Sequence, residues 1–280
     1  MPYFLKSPLM LDLNLHLMTM RTRDLMRRLL LMLMIAAAGL SGLFAAADQT
    51  GRVNYYADCM NDTEYAALLK HVFDDDGLDT ALADYAALMQ TIMSKGYDDW
   101  VSYLMSARAA LIVARYANDK DQKAVAEAYM NAADSFVETA RSLGAPQSAA
   151  GVLEALSSSF WYLVDGSLSK GLAFGRIVGD LWDEHPEDFH VLLLTADKYL
   201  HSPGIAGGNK KKGLELYQLA EVVAMEEGCA VWDQFSIYAG LAVGYDKAKE
   251  DELAYQYALL ARDIYSADPL VNEIISNYEG

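Results

Sequence analysis

The sequence predicts an all-α fold made of about five antiparallel helix pairs. Three observations carry this expectation. From Thr63 onward, apolar residues recur at intervals of three and four, the spacing that lines one face of a helix. No window sustains the two-residue alternation, rich in Val, Ile and Thr, that marks a strand. The breaks between helical stretches are short, and short connections force consecutive helices to pack as antiparallel neighbours.

The elements follow in order. Tyr65–His71 and Leu78–Lys95 form a first pair across Asp74-Asp75-Asp76-Gly77, and Lys95-Gly96 ends it. Trp100–Ala117 and Ala124–Leu143 form a second across Asn118-Asp119, ended by Gly144-Ala145-Pro146. The next break is Asp165-Gly166, with Ser167 adding a cap candidate before a helix over Leu168–Leu181. His185-Pro186 follows, with Pro186 placed for a first helical turn. Next comes Ser202–Leu214, SPGIAGGNKKKGL, whose glycines let the chain reverse and whose Asn209 stands as the N-cap of the following helix. Glu227-Gly228 and Asp246-Lys247 punctuate the rest, and Asp268-Pro269 opens the last helix.

Residues 1–47 are set apart from this fold. Arg21, Arg23, Arg27 and Arg28 precede an apolar run from Leu29, which ends at Phe44-Ala45-Ala46-Ala47. A basic stretch, an apolar stretch and small residues at the end describe a secretory signal cleaved near Ala47, with Met18 or Met20 as alternative starts. The chain after it, 48–280, is therefore expected to be exported, periplasmic or extracellular. An uncleaved anchor over Leu29–Ala47 is the membrane alternative, and Arg27-Arg28 as a twin-arginine signal is another. Without 1–47 the chain keeps 17 of its 22 basic and 37 of its 39 acidic side chains, a net charge of −20. That field repels nucleic acid and anionic lipid, so no nucleic-acid partner is expected. Export would permit Cys59 and Cys229 to pair, and two separate buried thiols fit the sequence equally well.

Recurrence narrows the fold. Tyr238-x2-Leu241-Ala242-x2-Tyr245 is followed after eight residues by Ala254-x3-Ala258-x2-Ala261. One unit earlier stand Ala196-x2-Tyr199, the Ser202–Leu214 loop, and Gly213-x3-Tyr217-x2-Ala220. Gly171, Gly213 and Ala254, at steps of 42 and 41 residues, mark the start of each second helix. Small residues there let paired helices approach where their axes cross. These positions resemble the tetratricopeptide-repeat family, clearly over 186–268 and in degenerate form over 63–185. Tyr238 stands where that signature has Trp, and Ala258 where it has Phe. The resemblance implies a right-handed superhelical stack with a concave binding face. The loop Pro203…Gly207-Gly208-Asn209-x2-Lys212-Gly213 is also similar to the exported T-component group associated with TRAP solute transporters, although Gly213 replaces the usual alanine.

Few residues propose chemistry. Ser167-Leu168-Ser169-Lys170 has the S-x-x-K spacing of acyl-transfer enzymes, but no S-D-N or K-T-G partner follows, and Ser167 serves as a cap. In DEHPEDFH, Pro186 separates His185 from His190, so the segment is expected to be a solvated junction and no metal site. Asp74 to Asp79 reads as a turn, since Leu78 fills a calcium-ligand position. Gly207, Gly208, Asn209, Lys210 and Lys211 are the ligand candidates. Cations in a first helical turn oppose the helix dipole, and with free amides they would attract a carboxylate or phosphate. The plainer reading is that the loop pins a helix crossing. Most of the 18 Tyr, 8 Phe and 4 Trp are expected in the core, leaving a remainder for the concave face.

No cofactor, metal or catalytic set is expected. The function read from the sequence is a non-catalytic scaffold that accepts a protein or peptide on its concave face. The second reading, implied by the transporter-associated resemblance, is an accessory component of solute uptake that holds a small ligand between helices.

Overall fold

The structure, a computed structural model, describes Met60 and residues 62–97 and 99–280, all within the compact unit Gly51–Gly280. The export segment read over 1–47 and Cys59 lie outside the described residues. Eleven α-helices and one 3-10 turn make up the secondary structure of the described residues, which contain no strand. They are α1 (Thr63–Phe73), α2 (Leu78–Ser94), α3 (Asp99–Asp119), α4 (Lys123–Ser142), α5 (Gln147–Asp165) and α6 (Leu168–Glu184). After these come α7 (Phe189–His201), the 3-10 turn Gly204–Ala206, α8 (Lys210–Glu227), α9 (Val231–Ala248), α10 (Asp251–Ile264) and α11 (Pro269–Glu279). The chain is all-α, as its periodicity predicts.

Most breaks fall where the turn residues predict them, with three differences. The α3–α4 turn and the α9–α10 turn come later than expected, each closed by a non-glycine residue with positive φ, Asp121 at 57° and Lys249 at 63°. Pro186 lies in the turn before α7. That helix starts at Phe189 because Asp188 caps it, its Oδ1 accepting from the amides of His190 and Val191. Pro269, by contrast, does open α11, behind an Asp268 cap.

Each helix packs most closely on its sequence neighbours, α3 on α4, α5 on α6, α7 on α8 and α9 on α10 above all. The odd-numbered helices also touch one another in sequence, from α1 through α3, α5, α7 and α9 to α11. The even-numbered helices meet one another at most weakly. Odd helices therefore form an inner layer and even helices an outer one. The inner layer is buried round its whole circumference in places. Leu104 to Ala107 on α3 and Phe189 to Ala196 on α7 are consecutive buried residues, covering every side of a 3.6-residue turn.

Small residues set the closest crossings. A Cβ on Gly213 of α8 would stand 2.6 Å from the Leu200 backbone nitrogen of α7. One on Gly240 of α9 would stand 2.3 Å from Cζ of Tyr217 on α8. The expected repeat positions are built into this packing. Ala196, Tyr217, Ala220, Leu241, Ala242, Tyr245, Ala254, Ala258 and Ala261 are buried, and Tyr199 and Tyr238 pack against the same core.

The inner layer also meets itself end to end. Phe73 at the end of α1 stacks on Trp232 at the start of α9, ring centroids 5.4 Å apart and 7° from parallel. Phe73 also packs on Phe235 and on Tyr265, which follows α10. The Tyr265 hydroxyl donates to Asp74 Oδ1 at 2.9 Å, joining residues 191 apart in sequence. Ala230 and Trp232 accordingly join the core of α1 to α5.

Candidate functional site

The loop Ser202–Leu214 is built for a tight reversal. Pro203 starts the 3-10 turn, its carbonyl accepting from the Ala206 and Gly208 amides, and Gly207 takes the left-handed conformation at φ 84°. Gly208 has no room for a side chain, since a Cβ would fall 1.8 Å from the Ser202 carbonyl oxygen. Asn209 donates its amide to the Tyr199 carbonyl at 2.8 Å and caps α8, its Oδ1 accepting from the Lys212 amide at 3.1 Å. The cap is the one the sequence predicts.

The three lysines separate in role. Lys212 donates to the Tyr199 hydroxyl at 2.9 Å and lies 4.2 Å from the centre of its ring, so its charge is spent inside the crossing. Lys211 faces Glu215 on an exposed helix surface at 3.8 Å, a spacing worth little in water. Lys210 is exposed and stands near Lys247 of α9. Burial, and then the charge of Lys210, depress the Lys247 ammonium below the ordinary lysine range. The loop thus gathers Gly207, Gly208 and Asn209 into a structural pin and leaves two cations beside each other outside it.

A second constellation lies in the interior, where four helices of the inner layer converge. The Arg108 guanidinium of α3 donates through Nε to the Tyr65 hydroxyl of α1 at 3.0 Å. It approaches Asp233 of α9 at 3.9 Å, and His190 of α7 lies 3.2 Å from the other carboxylate oxygen. His190 and Asp233 are 4% and 2% exposed, so His190 is no solvated junction residue as its acidic neighbours imply. Burial opposes the charge on Asp233, but His190 and Arg108 together outweigh it and hold the carboxyl below the usual range. These side chains engage one another across three helices, which ties α3, α7 and α9 into one arrangement. Cys229, one turn before Asp233, is a free thiol whose pKa burial and that carboxylate push up to about 11. A thiol held protonated at neutral pH is a poor nucleophile.

Nothing in the sequence marks this cluster. Arg108 and Asp233 are polar interruptions of amphipathic helices, and they become partners only when α9 returns to the N-terminal end of the array.

A third feature is open to solvent. Because α4 and α6 scarcely touch, a groove of about 260 Å³ opens above α5. Asp134, Val137, Glu138 and Arg141 of α4 form one wall, Glu154, Ser157 and Ser158 of α5 the floor, and Lys170 of α6 the far side. Asp134 is held in place by Ser157 Oγ and by Trp161 Nε1 at 3.0 Å, and Arg141 pairs with Glu154. The S-x-x-K pair does not assemble. Ser167 Oγ lies 3.0 Å from Ser169 Oγ, and Lys170 points its function to the groove.

Among the described residues there is no group of three metal-ligating side chains, and no helix is long and apolar enough to cross a membrane. No family model matches the chain, and no curated protein or solved structure matches it.

Proposed function

We infer that this protein is a non-catalytic binding scaffold: a right-handed, tetratricopeptide-like stack of five antiparallel helix pairs, with α11 covering the last pair. One observation carries the reading. Inner helices touch in sequence while outer helices stand apart, and that splaying leaves grooves that recognise without transforming. A stack of this kind presents ligand surfaces at the junctions between units. Tyr65, Arg108, Asp233 and His190 of the interior are engaged with each other, and the neighbouring Cys229 thiol is held protonated.

Two ligand classes fit a scaffold. A protein or peptide would take the concave face, where Tyr rings with hydrogen-bonding tips favour recognition. That face has less room than an open array offers, because α3 and α7 are buried on every side. A small solute would sit between helices, and the groove over α5 favours this second reading. Export through the 1–47 signal, and a role beside a TRAP-type uptake system, belong to the same proposal. They predict recovery from the periplasmic fraction.

The test is isothermal titration with a panel of peptides and small organic and amino acids, followed by mass spectrometry of the recovered ligand. Saturable binding with the ligand returned unchanged supports the scaffold. A ligand that returns chemically altered contradicts it.

A further inference from the structure

We propose that the groove over α5 is a binding site for a small zwitterion, a free α-amino acid in chemical class; this rests on the scaffold reading and assigns it a site. The argument starts from which lining groups are already engaged. Asp134 is locked by Ser157 and Trp161, and Arg141 is paired with Glu154. These three contacts fix the walls and leave three lining groups without a partner among the described residues.

On the floor, Ser158 is 7% exposed and its hydroxyl makes no hydrogen bond among the described residues. A hydroxyl that opens to the groove and is bonded to no described protein group is available to a ligand as donor or acceptor. On the α4 wall, Glu138 carries an unpaired carboxylate one helical turn from Asp134. On the α6 side, Lys170 carries an unpaired ammonium. A ligand with a carboxylate toward Lys170 and Ser158, and an ammonium toward Glu138, completes all three.

Charge and size select the class. The lining holds three carboxylates against two cations, inside a chain of net charge −17. A dicarboxylate entering that field is repelled, whereas a molecule of zero net charge is not. At about 260 Å³ the groove lies at the small end of ligand-sized clefts. That suits a free amino acid.

The experiment is calorimetric titration of the full chain with L-glutamine, N-acetyl-L-glutamine and L-glutamine methyl ester. L-glutamine should bind, and each blocked form should bind at least tenfold more weakly. Glu138→Gln and Lys170→Gln, exposed positions that leave the fold intact, should each weaken L-glutamine about tenfold, Glu138→Gln without affecting any residual binding of the acetylated form. Ser158→Leu should abolish binding by filling the floor; the two rim variants decide the matter if that variant misfolds. Equal binding of the blocked forms, or unchanged binding in both rim variants, overturns the proposal. Binding of peptides with no response to L-glutamine also overturns it, while leaving the scaffold intact; binding of neither removes both.

Discussion

Replacing Gly240 by alanine separates packing from helix propensity. On propensity alone, Gly→Ala in a helix interior stabilises by about 1 kcal/mol. Here the new methyl would lie 2.3, 2.5 and 2.6 Å from Cζ, Cε1 and Cε2 of Tyr217. Ordinary contact needs about an ångström more. Tyr217 cannot swing aside, because it is 2% exposed and its hydroxyl is bonded to Asp197. Overpacking of this kind costs about 1–3 kcal/mol, so the propensity gain of about 1 kcal/mol is cancelled and the net change is a loss of up to about 2 kcal/mol. For a chain of this size a loss of about 2 kcal/mol lowers the thermal midpoint by roughly 4–8 °C. Gly179 of α6 is the control, since a Cβ there meets nothing within 4 Å. Gly179→Ala should raise the midpoint by about 2 °C, the propensity term alone. Thermal melts followed by circular dichroism measure both. If Gly240→Ala stabilises as Gly179→Ala does, the α8–α9 crossing is not as close as described, and the reasoning fails.

Other predictions follow from the interior and the loop. Asp233→Asn leaves Arg108 and His190 without their shared carboxylate and should cost about 3 kcal/mol in urea unfolding. Because the folded carboxyl titrates below its ordinary value, the wild-type contribution is present above the unfolded pKa and is lost as pH falls through the folded one. The Asn variant should therefore approach wild type in stability below about pH 4. Cys229, with its pKa pushed up to about 11, should be alkylated by iodoacetamide at pH 8 on the order of 100-fold more slowly than a free thiol, measured in a Cys59→Ser background. Gly208→Ala should destabilise because its Cβ would strike the Ser202 carbonyl. Lys210→Ala and Lys211→Ala should stay within about 0.5 kcal/mol of wild type.

What could be read beforehand was local. Helical spacing, Gly and Pro turns, the Asn209 cap and the helix start at Pro269 act within a few residues, so they are visible in one stretch of sequence. The turns closed by Asp121 and Lys249 fall later than expected because each takes positive φ without a glycine, and aspartate, though enriched in that region, also fills many other turn positions. The repeat signature points to Leu241 and Ala242, which are buried, while the position with no room for a Cβ falls one residue earlier, at Gly240. His190 reads as solvated in the sequence because acidic residues precede it, yet the nearest of them, Asp188, is itself buried as the cap of α7. The burial of His190 depends on α9, which supplies Asp233 from the far side of the array. The groove has no local signature for a similar reason. Glu138, Ser158 and Lys170 belong to three helices, and their shared opening exists only because α4 and α6 diverge.

The account turns on the end of α1 meeting the start of α9 and the residue that follows α10, since those contacts close the inner layer. A double-mutant cycle on Phe73→Ala and Tyr265→Ala tests it directly, with stability measured by urea unfolding. Their ring centroids are 5.1 Å apart, so the two changes should be non-additive by about 1 kcal/mol. In an open array these residues would stand at opposite ends. Strict additivity, with a coupling indistinguishable from zero, would contradict the closed inner layer.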